Sequence, residues 1–453
     1  MKFILVLLTC LSLSLSASAD NEDFRSWSPT PPMGWNSWDC YGSSVTEKTV
    51  LETAQYMSEN LLKYGWEYIV IDAHWFKENE PQGFNYEAHD TIKIHNEYNI
   101  DAYGRMIPAV GKFPSSQNGK GFKPLIDKIH AMGLKFGLHI MRGMTKTTYV
   151  HDCPVWNATQ YKAKEICEGK NTCGWSNDCY QLKIDHPGAQ AYYNSLFALY
   201  AEWGVDFVKV DDISYPYHLK EVEMIRKAIE KCGRPIVLSL SPGEAPLSQG
   251  KHMAVHANMW RIVGDLWDYW DAVKHLIYVT ANWSPYIGNG TWPDCDMIPL
   301  GRLAVSQHPA NGKERDTRLT PDEQYTLLNL MAIAKSPLMF GGDLTQVDDF
   351  TKSLLTNKAV LDVNQHSIGN RVSYIDTEKV MWMAEDANDK CYYVALFNSS
   401  NNDVTFDVNL KDYGKANNKN MEDLWTAKKS KIKHNQLNVK LAPHASKLFK
   451  ITR

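Results

Sequence analysis

Apolar runs of four to eight residues recur between residues 30 and 345, and longer stretches of helical periodicity separate them. The predicted strands are Met33–Trp38, Tyr68–Trp75, Lys135–Ile140, Phe207–Asp211, Ile236–Ser241, Met259–Asp265, Met297–Leu300 and Pro337–Gly342. The predicted helices are Glu47–Leu62, Lys123–Met132, Gly188–Trp203, Leu219–Lys231 and Asp322–Ala334. Strands that alternate with helices over about 300 residues predict an α/β fold, the (β/α)8 TIM barrel. A doubly wound sheet is the runner-up, and the missing GxGxxG motif counts against it.

The pattern changes after residues 351–365, which have helical periodicity. Asparagine-rich turns then separate short predicted strands at Tyr374–Ile375, Val380–Met383, Tyr392–Phe397, Val404–Val408 and Leu437–Leu441. This change predicts two domains: a barrel at 27–366, followed by a C-terminal antiparallel β-sandwich domain at 367–453.

The segment 1–19 has the features of a signal peptide. Lys2 precedes the apolar run Phe3–Leu8, and Ala17-Ser18-Ala19 forms a small-x-small cleavage site. The apolar run is too short to span a bilayer. We therefore expect an exported protein, either periplasmic or secreted. Lipoprotein anchoring at Cys10 is the second interpretation.

Eight cysteines follow the predicted signal peptide. Four of them lie in a predicted insertion at 144–185: Cys153, Cys167, Cys173 and Cys179. In an exported protein this clustering predicts a disulfide-stapled loop. A zinc site is the alternative, but no CxxC pair occurs and His151 is the only imidazole nearby. The other four are expected to be free or buried: Cys40, Cys232, Cys295 and Cys391.

The composition is that of an ordinary globular protein with ample core, since 44% of the residues are hydrophobic and 22% are charged. The formal charge of -4 argues against a nucleic-acid partner or an anionic membrane surface. No segment beyond the predicted signal peptide approaches transmembrane length.

The most informative chemistry lies in the run Phe207-Val208-Lys209-Val210-Asp211-Asp212. In a strand, Lys209 and Asp211 point to the same face. Burying a cation and an acid costs free energy unless they form an ion pair or serve in binding or catalysis. Barrel enzymes place catalytic groups at the C-terminal ends of strands. An ion pair that closes the strand end is the structural alternative.

Further acids follow other predicted strands: Asp39, Asp72, Asp265, Asp294, Asp296 and Asp343. Two carboxylates with nearby Trp and cations suit glycoside hydrolysis, in which one acid attacks the anomeric carbon and the other protonates the leaving oxygen. Lys209 would keep Asp211 ionised as the nucleophile. The acid needs a less polar or anion-rich site, and apolar neighbours make Asp265 suitable. Arg261 is in phase with Asp265 on the predicted strand.

Several motifs occur in one order: Pro31-Pro-Met-Gly-Trp-Asn-Ser-Trp38, Tyr68-Ile-Val-Ile-Asp-Ala-His-Trp75, Gly133-Leu-Lys-Phe-Gly-Leu138, Val208-Lys-Val-Asp211, Trp260-Arg-Ile-Val-Gly-Asp265, Trp292-Pro-Asp-Cys-Asp-Met297, Ser336-Pro-Leu-Met339 and Val360-Leu-Asp-Val-Asn-Gln365. By these motifs the chain resembles glycoside hydrolase family 27, the α-galactosidase and α-N-acetylgalactosaminidase group, from about residue 30 into the C-terminal domain.

The resemblance implies a retaining mechanism through a covalent glycosyl-enzyme, on terminal α-D-galactosides and without metal or organic cofactor. It makes Asp211 the nucleophile and Asp265 the acid/base, about 5–5.5 Å apart. Trp38 would be the platform for the sugar ring. Hydroxyl contacts would come from Asp72, Lys209, Arg261 and Asp296.

Three departures from the family pattern bear on the substrate. Ala73 follows Asp72 where the family usually has a second acid, which grips the axial 4-hydroxyl side of galactose, and His74 is a candidate to take over part of that role. The fifth strand ends in Ser239-Leu-Ser-Pro-Gly-Glu244 rather than a Cys-Glu-Trp-type loop, which leaves Ser241 or Glu244 to contact the 2-hydroxyl. Asp212 stands where the family commonly has Gly. The alternative substrates are a β-L-arabinopyranoside, an α-N-acetylgalactosaminide and an isomaltodextranase-like α-glucoside.

The residues also bear on two other functional classes. A catalytically inactive carbohydrate-binding protein is disfavoured because both Asp211 and Asp265 are present. A metal-dependent hydrolase would need clustered His ligands, and only His74 and His139 are candidates. The expected partner is an oligo- or polysaccharide substrate, and a homodimer is left open.

Overall fold

The computed structural model describes residues 23–78, 98–172, 176, 178–307, 310–387, 391–415 and 419–452. The predicted signal peptide 1–19, with Cys10, and the cysteine Cys173 lie outside these residues. In the described part of the chain, no helix has the length and apolar character needed to cross a membrane.

Nine strand segments form one parallel sheet. In chain order they are Met33–Asn36, Tyr68–Ile71, Lys135–Met141, Phe207–Asp211, Val237–Leu240, Met259–Arg261, Trp292–Asp294, Met297–Ile298 and Leu338–Phe340. Trp292–Asp294 pairs with Met259–Arg261, and Met297–Ile298 pairs with Leu338–Phe340. The two segments are therefore one interrupted seventh strand that closes the sheet, so the predicted barrel is confirmed.

Helices surround this sheet. They are Trp38–Tyr41, Glu47–Asn60, Lys123–Ala131, Pro187–Trp203, Leu219–Cys232, Gly250–His256, Trp270–Trp283, Pro321–Ile333, Asp349–Leu355 and Lys358–His366. One apolar core fills the space between sheet and helices, and it includes Trp35 and Ile69, which are opposite each other on neighbouring strands. A second cluster, which includes Tyr68, Phe207 and Trp292, fills the inside of the barrel. Strand alternation thus separates an outer core from an inner one.

Residues 144–185 form an excursion after the third strand. It contains strands Met144–Thr145, Pro154–Val155, Ala158–Lys162, Cys167–Asn171 and Cys179–Leu182, with short helices Lys146–Val150 and Ala163–Ile166. The predicted stapling is wrong for Cys153 and Cys167, which are buried free thiols. The strand register places Cys167 opposite Leu182, and its Sγ donates to the carbonyl oxygen of Gln181 at 3.2 Å. Cys167 also belongs to the apolar core, so packing accounts for this side chain.

The C-terminal region is antiparallel, as predicted. One sheet contains Ser367–Ile375, Lys379–Asp386, Cys391–Asn398, Ser446–Thr452, Asn420–Asp423 and Lys429–Lys431, and a second contains Val404–Asn409 and Gln436–Leu441. A separate apolar cluster lies between them. Helix Pro321–Ile333 attaches this sandwich to the barrel, since Asn329 Nδ2 donates to Ser446 Oγ at 2.8 Å.

Candidate active site

The strand register brings the polar residues of neighbouring strands to one end of the barrel. His139 and Ser239 are both opposite Lys209, and Arg261 is opposite Asp294. Phe207 belongs to the inner apolar cluster, so Lys209 and Asp211 point inward above it. The shared face predicted for this pair is thus present.

Lys209 and Asp72 form a buried ion pair, with Nζ 2.8 Å from Oδ2. The amide of Asn36 also donates to this oxygen, at 2.9 Å. Burial alone would raise the pKa of Asp72, but the charge of Lys209 and these hydrogen bonds hold it well below its ordinary value. The Lys209 ammonium is correspondingly stabilised, because the attraction of Asp72 and Asp211 outweighs its burial and raises its pKa. Asp72 is therefore held in its ionised form, and the hydroxyl contacts predicted for Asp72 and Lys209 stay predictions.

Asp211 is held by two hydrogen bonds. His139 Nε2 lies 3.0 Å from Oδ2, and the backbone N–H of Asp212 donates to Oδ1 at 2.9 Å. Burial opposes ionisation, but the His139 contact and the charge of Lys209 lower the pKa of Asp211. An oriented, ionised carboxylate at the end of a strand suits nucleophilic attack. The sequence analysis considered His139 only as a candidate metal ligand and did not predict its contact with Asp211, although its inward position on the third strand was the available signal.

Asp265 lies on the loop that follows the sixth strand, because that strand ends at Arg261 rather than at Asp265 as predicted. Its side chain is 60% exposed, and its Oδ1 accepts a hydrogen bond from Arg261 Nη2 at 3.1 Å. The apolar surroundings expected for Asp265 are therefore absent, since the buried neighbours Val263 and Leu266 pack into the core instead.

Arg261 also binds Asp296, with Nη1 2.7 Å from Oδ1. Asp296 accepts the backbone N–H of Leu266 at 2.8 Å, which fixes the loop that carries Asp265. Burial and the nearby acids raise the pKa of Asp296 to about 7, against the attraction of Arg261. Asp296 therefore supports the Asp265 loop, while the hydroxyl contacts predicted for Arg261 and Asp296 stay predictions.

These groups surround a cavity of about 350 Å³. Its lining is Trp38, Asp72, Ala73, His74, Phe76, His139, Met141, Ser176, Lys209, Asp211, Ser241, Pro242, Gly243, Gly264, Asp265, Trp267, Met297 and Ala310. The volume falls within the usual range for small-ligand pockets. Seven of the nine site residues predicted from the sequence line this cavity, and Arg261 and Asp296 lie behind Asp265. The 5–5.5 Å separation of Asp211 and Asp265 stays a prediction.

The excursion at 144–185 reaches the cavity through Ser176 and supports the second strand end. Asp178 Oδ2 lies 2.6 Å from His74 Nε2, and Asp178 Oδ1 accepts from Lys77 Nζ at 3.1 Å. His74 is thus held by the excursion. His74 and His139 contact different carboxylates, so these two histidines do not form the paired site that a metal-dependent hydrolase would need at the strand ends.

The loop after the fifth strand gives its two candidate residues different positions. Ser241 lines the cavity, whereas Glu244 binds His275 on the surface, with Oε1 2.6 Å from Nε2. A Cβ on Gly243 would lie 1.8 Å from the carbonyl oxygen of Val263, so glycine permits this loop to approach the Asp265 loop. Ser241 is therefore the better candidate for a substrate contact.

Replacing Lys209 by Met should shift the acid limb of the pH profile of kcat/KM to higher pH. It should also lower kcat/KM about 10²–10³-fold. The charge of Lys209 lowers the pKa values of Asp72 and Asp211, so its removal makes both carboxylates harder to ionise. A pH profile of kcat/KM measures the shift. Lys209→Arg keeps the charge and should leave the acid limb in place, and an unmoved limb in Lys209→Met would contradict this account.

Comparison with known proteins supports the resemblance. A family model described as alpha galactosidase A matches residues 176–366, and one for the alpha galactosidase C-terminal beta sandwich domain matches residues 376–451. The chain is 44% identical to a crystallised β-L-arabinopyranosidase of glycoside hydrolase family 27 from Geobacillus stearothermophilus, over 95% of this chain and 99% of that chain, with a TM-score of 0.89. It is 27% identical to an alpha-galactosidase from Cyamopsis tetragonoloba, over 96% of this chain and 91% of that relative. It is 29% identical to an alpha-galactosidase from Coffea arabica, over 93% of this chain and 94% of that relative.

Proposed function

Because this chain belongs to glycoside hydrolase family 27, we propose that it is a retaining glycosidase that prefers terminal β-L-arabinopyranosides to α-D-galactosides. These two sugars share the configuration of their ring hydroxyls and of the anomeric bond. They differ in that β-L-arabinopyranose lacks the hydroxymethyl group of galactose. The discrimination therefore depends on the part of the cavity that receives this group.

Ala73 carries the preference, since the acid that it replaces would lie on the 4-hydroxyl side of the sugar, next to the hydroxymethyl group on C5. It lines the cavity next to Asp72, so a methyl group stands where the family usually has a second acid. A site that cannot hydrogen-bond a substrate hydroxyl gives no advantage to the sugar that carries it. The 44% identity to a β-L-arabinopyranosidase supports the same preference.

The second candidate is the α-D-galactoside predicted first from the motifs. Its support is that relatives at 27% and 29% identity, over nearly the whole chain, are alpha-galactosidases. Both candidates use the same chemistry and differ only in the glycone.

In the proposed mechanism, Asp211 attacks the anomeric carbon while Asp265 protonates the departing oxygen. Water then attacks the glycosyl-Asp211 ester, and the Asp265 carboxylate takes its proton, which restores both groups. The contacts to Asp211 orient its carboxylate for attack. Exposure of Asp265 suits a group that must meet both the leaving sugar and the incoming water.

The test is a set of initial rates on aryl β-L-arabinopyranoside, α-D-galactoside, α-N-acetylgalactosaminide and α-glucoside. We expect kcat/KM for the arabinopyranoside to exceed that for the galactoside by at least about tenfold. A higher kcat/KM for the galactoside would favour the second candidate. If none of the four turns over, the chain would instead fit the carbohydrate-binding alternative.

Replacing Ala73 by Asp should move the arabinopyranoside-to-galactoside ratio of kcat/KM toward galactoside by about 10–100-fold, because the new carboxylate can accept a hydrogen bond from the 6-hydroxyl. The same four substrates measure it. Ala73→Val adds volume without an acceptor and should not favour the galactoside. An equal response from both variants would show that bulk, and not hydrogen bonding, controls the choice.

A further inference from the structure

Three potential metal ligands meet on the outside of the barrel, where helices Leu219–Cys232 and Gly250–His256 are neighbours. They are Glu223, His252 and His256, and one ligand atom from each lies within 4.8 Å of those from the other two. The side chains of Glu223 and His252 are 34% and 17% exposed, so solvent can deliver an ion. None of the three residues lines the cavity of the candidate active site.

The two histidines are four residues apart on one helix, which places them on the same face. Their rings stack with centroids 4.0 Å apart and an interplanar angle of 22°. His256 Nδ1 lies 2.9 Å from the carbonyl oxygen of His252. A carbonyl only accepts hydrogen bonds, so this nitrogen carries the proton and the lone pair of His256 is on Nε2.

His252 has a matching arrangement. Its Nδ1 lies 2.5 Å from Tyr217 Oη, and its Nε2 lies 3.4 Å from Glu223 Oε1. When Nδ1–H donates to Tyr217, the Nε2 lone pair faces the carboxylate. Both imidazoles therefore have an oxygen partner on Nδ1, which is the usual support for a histidine that binds metal through Nε2.

We propose that Glu223, His252 and His256 bind a zinc ion, with water in the fourth position. Two imidazoles and one carboxylate form a known donor set for zinc, with bonds of about 2.0–2.1 Å. Two ligands of a tetrahedral zinc at that bond length are about 3.4 Å apart, which matches the separation between His252 Nε2 and Glu223 Oε1. The other ligand atoms lie within 4.8 Å of one another, so rotation of the two stacked rings has to bring them closer by about 1.4 Å at most.

The ion joins the helices that follow the fourth and fifth barrel strands. Tyr217 connects the site to the loop that follows Asp211, since residues 212–218 lead from that carboxylate into helix Leu219–Cys232. Zinc bound here stabilises this wall of the barrel, and the chemistry of glycoside cleavage takes place elsewhere. Because the site binds the folded chain, its occupancy raises the unfolding temperature.

Zinc chloride alone is the probe, titrated into untagged, chelator-treated full-length protein by calorimetry and followed by thermal unfolding. We expect one equivalent of zinc to bind and saturating zinc to raise the unfolding temperature by about 3 °C or more. Glu223→Gln and His256→Ala should each weaken zinc binding at least about tenfold and reduce the thermal shift.

His275→Ala is the matched control, because it removes one imidazole from another surface His–Glu pair, that with Glu244. It should bind zinc as the unaltered protein does. Absence of a one-equivalent binding event, or binding that persists in Glu223→Gln, would overturn the proposal. Glu223→Gln conserves side-chain shape, so it decides the question even if His256→Ala fails to fold.

Discussion

Replacing Asp211 by Asn is expected to lower kcat on the best aryl glycoside by at least about 10⁴-fold. Asn matches Asp in shape and can still contact His139 and the backbone N–H of Asp212, so the cavity should keep its form. The amide has no negative charge with which to attack the anomeric carbon. Steady-state kinetics measure the loss, and thermal unfolding shows that the fold is intact.

Asp212→Asn is the adjacent control. The Asp212 carboxylate faces Arg142, with Oδ2 2.9 Å from Nε, and does not line the cavity. Its backbone has φ +58°, a conformation that Asn tolerates well. This variant should retain kcat within about tenfold of the unaltered protein. An Asp211→Asn variant with the same activity as Asp212→Asn would remove Asp211 from the nucleophilic role.

Replacing Asp265 by Ala is expected to make the rate depend strongly on the leaving group. For a disaccharide, whose leaving oxygen needs a proton, kcat/KM should fall by about 10³–10⁴-fold. For a dinitrophenyl glycoside, which leaves without a proton, kcat/KM should fall by no more than about tenfold. Measuring both substrates with the same protein separates proton donation from any change in binding.

Azide distinguishes the two carboxylates. In Asp265→Ala it replaces water at the glycosyl-enzyme, so it should restore turnover of the dinitrophenyl glycoside and yield a glycosyl azide of retained configuration. In a variant that lacks the nucleophile, such as Asp211→Gly, azide attacks the substrate itself and gives the inverted product. Equal losses for both leaving groups, without azide rescue, would contradict the acid/base role of Asp265.

Much of the barrel is predictable because its strands are buried on both faces. The strand Phe207–Asp211 has the predicted bounds, and the helix predicted at Asp322–Ala334 begins after a capping box formed by Thr320 and Glu323. Both signals are local: a short apolar run, and a hydrogen-bonded turn whose residues are adjacent in the chain.

The missed elements lack such local signals. The seventh strand begins at Trp292 and is interrupted at Cys295 and Asp296, so neither half has the length of a typical strand. Helix Trp270–Trp283 was missed, and in the sandwich the strands Asn420–Asp423 and Lys429–Lys431 are mostly polar. Pairing with neighbouring strands, and not sequence pattern, explains these two strands.

In the candidate site too, some features are predictable from the sequence and others are not. Alternation along one strand predicted that Lys209 and Asp211 share a face. The contacts between strands, from Lys209 to Asp72 and from His139 to Asp211, depend on register, which one sequence does not contain. The environment of Asp265 was predicted wrongly because sequence neighbours on a loop need not be spatial neighbours.

The central claim is that Asp211 forms a covalent bond to the sugar. We would incubate the protein with a 2-deoxy-2,2-difluoro analogue of whichever glycoside is cleaved fastest, carrying a picryl leaving group, and map the adduct by peptide mass spectrometry. The account predicts a single glycosyl adduct on the peptide that contains Asp211, which is lost in Asp211→Asn. An adduct on another carboxylate, or turnover without an adduct and with an inverted first product, would contradict it.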